Sequence, residues 1–92
     1  MSPDEISLVE TCSMFPEQYD AKDKDGNTLG YLRLRWGEFT VECPDVDGET
    51  VYRAEPDGDG FFFDEEREMY LDFAKRAIAE WWTRKEATDG KG

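Results

Sequence analysis

The stretch that most constrains this chain runs from Tyr31 to Cys43. Leu32, Leu34 and Trp36 alternate with Tyr31, Arg33 and Arg35. Gly37-Glu38 intervenes, and Phe39, Val41 and Cys43 then alternate with Thr40 and Glu42. A period of two places successive side chains on opposite faces of a strand, and a hairpin keeps both apolar sets on one face. Glycine at the first central position of a two-residue loop suits a type II′ turn. That turn pairs Trp36 with Phe39, Leu34 with Val41 and Leu32 with Cys43. On the other face it sets Arg35 against Thr40 and Arg33 against Glu42, an opposite-charge pair contributing roughly 0.2–1 kcal/mol. A sheet that is apolar on one face must be covered there by a second layer.

The C-terminal third supplies that layer. Asp64 is a good N-cap residue, and Glu65 and Glu66 follow in the first turn, where the helix dipole favours carboxylates. Tyr70, Phe73, Ala74, Ala77, Ile78 and Trp81 recur at three- and four-residue steps as an apolar stripe. Asp72, Lys75, Arg76, Ala79 and Thr83 fall on the opposite side, and Arg84 and Lys85 in the last turn. Trp82 lies at the edge of the stripe, either covering the rim of the sheet or serving as an anchor for a partner.

The remaining segments read as further strands and turns. Tyr19–Asp23 is a strand and Asp25-Gly26 a two-residue turn signal. Pro44–Gly48 is a turn cluster, Thr50–Ala54 a strand, and Pro56–Gly60 a loop rich in Gly and Asp. At the start, Ser2 to Glu5 fits a capping box with Pro3 at the first helical position. Residues 6–11 are β-branched enough to favour a strand, and Pro16 ends whatever precedes it. The expected fold is α+β: an antiparallel β-meander of four to five strands packed against one C-terminal amphipathic helix. It forms a single domain over 1–92, ordered over 6–87, with 88–92 as a frayed tail.

Charge narrows the function. The chain of 92 residues carries 11 basic and 23 acidic side chains, a net charge of −12. Residues 1–30 hold −5, residues 31–63 hold −5 and residues 64–92 only −2, and from Trp36 to Glu66 the sole basic residue is Arg53. Such a surface repels nucleic acid and anionic membrane and attracts basic protein surfaces and divalent cations. Histidine is absent, which removes the commonest general base and metal ligand and any Ser/His or Cys/His nucleophile arrangement. Paired carboxylates are abundant, but nothing in the sequence marks a pair as buried, as a general acid requires. The expectation is a non-enzymatic protein. No leader with a basic and then an apolar segment follows Met1, and no apolar run approaches the roughly 18 residues of a membrane span. Cys12 and Cys43 read as separate reduced thiols, and the setting as cytoplasmic.

Three clusters could act on a ligand. Glu55, Asp57, Asp59, Gly60 and Glu66 fall at positions 1, 3, 5, 6 and 12 of an EF-hand-like calcium loop. Against this stand Glu instead of Asp at the first position, Pro56 at the second, and a strand instead of a helix before the loop. The competing reading is a solvated turn entering an acidic helix N-terminus, with no cofactor. Tyr31, Arg33 and Arg35 resemble a stacking platform for single-stranded nucleic acid, but pairing of Arg33 with Glu42 explains them more simply. The third cluster is the acidity itself. Seven acidic residues and one basic residue lie between Glu55 and Glu68. The expected partner-binding residues are Asp57, Asp59, Asp64, Glu65 and Glu66, supported by Glu42, Asp45, Asp47 and Glu49 as one continuous anionic surface. The partner would be a basic protein surface, including that of a nucleic-acid-binding protein whose phosphate cleft the carboxylates occupy. A structural protein that dimerises through a sheet edge or Trp82 is the alternative.

The runs Pro16-Glu17-Gln18-Tyr19-Asp20, Gly30-Tyr31-Leu32-Arg33-Leu34-Arg35-Trp36-Gly37, and Glu66-Arg67 with Tyr70-Leu71 make the chain resemble short acidic proteins of unknown function from bacteria and their phages, over roughly residues 6–82. The resemblance brings no catalytic residues. It implies a cytoplasmic setting and favours an inhibitor that mimics DNA.

Overall fold

The computed structural model describes residues 2–13, 17–35, 37–46, 48–56 and 62–89. Five strands, β1 (Ser7–Ser13), β2 (Glu17–Lys22), β3 (Thr28–Arg35), β4 (Glu38–Cys43) and β5 (Glu49–Ala54), precede one helix, α1 (Asp64–Asp89). The sheet order is β1-β2-β3-β4-β5 with every neighbouring pair antiparallel. This is the α+β meander that the periodicity predicts. Both readings of the chain start are realised in succession. Ser2 and Glu5 form the capping box around a 3-10 turn, Pro3–Glu5, and β1 follows.

The inward face is built from alternate residues. Glu17, Tyr19 and Ala21 of β2, Leu32 and Leu34 of β3, and Phe39, Val41 and Cys43 of β4 are all buried. Helix α1 packs on β3, β4, β5 and the 3-10 turn. Phe39 is the centre of the aromatic core. Its ring meets Phe62 edge-on at 4.9 Å and Tyr70 at 6.1 Å, while Phe62 and Tyr70 stack at 5.6 Å. Gly30 lets the helix approach: a Cβ there would lie 3.1 Å from Ile78 Cδ1 and 3.0 Å from the Glu42 carbonyl oxygen.

Several local expectations are corrected. The β3–β4 register differs by two residues: Leu32 faces Val41, Leu34 faces Phe39, and Arg35 faces Glu38. Gly37, at φ 73°, is therefore the second linking residue, where the left-handed backbone it provides is needed. A shift of two leaves every apolar side chain on its face, so hydrophobic pattern cannot choose between these registers. Arg33 consequently faces Thr40, and Glu42 faces Tyr31. Trp36, the predicted partner of Phe39, falls outside the described residues. The β2–β3 connection spans residues 23–27 instead of two residues, because the Asp23 carboxylate accepts from the Asp25 and Asn27 N–H groups and from Asn27 Nδ2 and stabilises a wider turn.

In α1, Asp64 is the first helical residue and not the cap. The Phe63 carbonyl accepts from the Glu66 and Arg67 N–H groups, and the Phe63 N–H donates to Glu66 Oε2 at 2.9 Å. The buried face is also rotated. Ala79 is buried and Leu71 and Trp82 pack on the core, whereas Phe73 is 37% exposed. The helix continues to Asp89, so Arg84 and Lys85 precede the last turn. Arg84 pairs with Glu80, and Lys85 Nζ stands 5.8 Å from the centre of the Trp81 ring. Of the tail expected to fray, residues 90–92 lie outside the described part.

Neither cysteine is in a disulfide. Burial, helped by the charge of Glu49, pushes the Cys43 thiol up to about 12, so almost no thiolate exists at neutral pH. Titration of the native protein with a thiol reagent is expected to label Cys12 alone, with Cys43 reacting only after denaturant is added. Rapid native labelling of both would contradict the packing around Cys43.

Candidate functional site

Two arrangements in the first half of α1 are candidates for function. The first is an ionic clamp that the sequence did not reveal. Glu17, with its side chain fully buried, receives Arg67 through Nε at 2.9 Å to Oε2 and through Nη2 at 3.2 Å to Oε1. The Phe62 N–H donates to Oε1 at 2.9 Å, and the Tyr19 hydroxyl donates to Oε2. Arg67 also donates to the Phe62 carbonyl at 3.0 Å and to Asp64 at 2.6 Å. Burial pushes the Glu17 carboxyl up, but donors from Arg67, Tyr19 and Phe62 outweigh it and hold the pKa below its ordinary value. Burial and the same contact push the Tyr19 hydroxyl up. The clamp joins β2 to the start of α1 and holds Phe62 against Phe39. Its signal in the sequence was the phase of Glu17 with Tyr19 and Ala21, which places all three on the inward face.

The second arrangement is the outer side of α1. Met69 is 46% exposed, Phe73 37% and Phe63 42%. Met69 and Phe73 are four residues apart and share a helical face. Glu65 and Asp72 stand beside Met69 at helical spacing, Asp72 paired with Arg76 at 3.0 Å, and Asp64 and Glu68 are exposed carboxylates of the same two turns. Exposed apolar side chains that share a face, as Met69 and Phe73 do, mark interaction surfaces more than scattered ones.

Among the described residues, the anionic residues predicted from the sequence are spread over three places. Asp64, Glu65 and Glu66 lie at the start of α1, with Glu66 occupied in capping. Asp45 and Glu49 lie at the β4–β5 turn, where Glu49 accepts from Trp81 Nε1 at 2.8 Å. Trp81 is about 26 Å along α1 from Asp64 at the helical rise of about 1.5 Å per residue. Glu42 is on the sheet face away from the helix, with Oε1 buried and without a hydrogen-bond partner among the described residues. Asp47, Asp57 and Asp59 lie outside the described residues, and with them half of the calcium set; of the rest, Glu55 is exposed and Glu66 caps the helix. Among the described residues no group of three metal-ligating side chains occurs.

The outer sheet face carries Tyr31, Arg33 and Thr40. Arg33 stands over the Tyr31 ring at 5.9 Å, a cation–π contact in place of the expected pairing with Glu42. Trp82 Nε1 donates to the Leu29 carbonyl at 2.8 Å, so this ring covers the rim of the sheet. Both edge strands have an irregular register, β1 between Glu10 and Cys12 and β5 against Val41/Glu42. Such bulges obstruct edge-to-edge pairing. Among the described residues no helix is long and apolar enough to cross a membrane.

Comparisons with protein-family models, with curated proteins and with solved structures returned no match.

Proposed function

We propose that this protein is a non-enzymatic cytoplasmic interaction protein that binds a basic surface on another protein through the first half of α1. The observation that carries the reading is the coincidence of exposed Met69 and Phe73 with the carboxylates of Asp64, Glu65, Glu68 and Asp72. Carboxylates steer a basic partner and set its orientation, while desolvated apolar side chains at the centre supply affinity. The partner class is a nucleic-acid-binding protein, whose phosphate-binding surface is basic by necessity. The separation of Glu49 from Asp64 favours one compact contact over a long imitation of a phosphate backbone.

A pull-down from bacterial lysate at low salt tests this. The wild-type protein is expected to retain a nucleic-acid-binding protein that elutes as salt rises, and the variant Glu65→Lys/Asp72→Lys is expected to lose it. Recovery of no such protein, or equal recovery by the variant, sinks the reading.

A further inference from the structure

Because α1 lies over β3–β5, the inner side of β1 and β2 borders an open groove of about 850 Å³. Its apolar floor is formed by Leu8, Tyr19 and Leu71, of which Leu8 and Leu71 are half-buried against the core. Asp64, Glu65, Glu68 and Asp72 line the helical wall. Two cations also line the groove. Arg67 is already shared between Glu17 and Asp64, and Arg76 pairs with Asp72 at 3.0 Å, so Lys75 is the lining cation outside these pairs. The other wall is β1, an edge strand that among the described residues pairs with β2 alone. Its register is regular from Ser7 to Glu10, which offers main-chain groups to an extended chain.

The geometry points to this groove as the seat of an extended peptide segment of the partner, alternating cationic and aliphatic side chains. The aliphatic side chains rest on Leu8 and Leu71, and the cationic ones meet Glu65 and Glu68. A second copy of this chain is a poor occupant, since each carries a net charge of −12. The inference rests on the basic-partner reading and narrows it from a surface to a groove.

Nuclear magnetic resonance titration of the isotope-labelled full chain at low salt, with a short peptide alternating lysine and valine, tests the groove. Expected are shift changes at Leu8, Tyr19, Leu71 and Lys75. Binding is expected to be about tenfold weaker in Glu65→Lys/Glu68→Lys and severalfold tighter in Lys75→Glu, all surface changes compatible with folding. Changes confined to Phe73, which lies outside the groove lining, overturn the groove and leave the basic-partner reading standing. Equal, salt-sensitive changes at every carboxylate, or none, also overturn it. The lysate experiment then decides the broader reading separately.

Discussion

Replacing Arg67 by methionine is expected to destabilise the protein by about 3–5 kcal/mol, because it leaves the Glu17 carboxylate buried without a cation. For a domain of this size that is a large part of a total stability of roughly 5–14 kcal/mol. The double variant Glu17→Gln/Arg67→Met is expected to recover much of the loss, since it removes the unpaired charge as well as its partner. The pH dependence separates this account from simple loss of packing. In the wild-type protein the Glu17 pKa is lowered by Arg67, Tyr19 and Phe62 against the opposing effect of burial. Its stabilisation is therefore complete above the unfolded value of about 4.3 and is lost as pH falls through the lower folded value. In Arg67→Met burial dominates and Glu17 takes up a proton more readily. The variant's deficit should thus shrink as pH is lowered. Urea denaturation across the acid range measures this, and a deficit that does not change with pH would show that the clamp is not electrostatic.

The second large effect is expected at Phe39. Truncation to alanine removes a fully buried ring that touches Tyr52, Phe62 and Tyr70, at a cost of about 3–5 kcal/mol. Phe73→Ala, at a ring 37% exposed, is expected to cost well under half as much. Thermal melting of the two variants gives the comparison. Equal losses would mean that α1 is rotated so that Phe73 belongs to the core, as the helical periodicity alone suggests.

That contrast shows where the sequence was legible. Leu32, Leu34, Phe39 and Val41 define an inward face because strand periodicity is binary, and a residue is either in phase or out of it. The helix is less sharply determined. Tyr70, Phe73, Ala74, Ala77, Ile78 and Trp81 span a wide arc of a 3.6-residue period, and a modest rotation exchanges Phe73 for Ala79 without breaking the pattern. The acidic site was legible only as composition. Sequence proximity joined Glu42, Asp45, Glu49 and Asp64 into one surface, whereas the meander sends Glu42 to the far face and puts the β4–β5 turn beside Trp81.

What the sequence determined by itself was the α+β meander and its covering helix, because apolar spacing and turn residues act over a few neighbours. Tertiary structure alone decided the β3–β4 register, since a shift of two is silent in the pattern. It also decided the pairing of Glu17 with Arg67. These residues lie far apart in the chain, and ordinary exposed counterparts of each abound. Only the approach of Phe62 and the first turn of α1 to the start of β2 brings the guanidinium to that buried carboxylate.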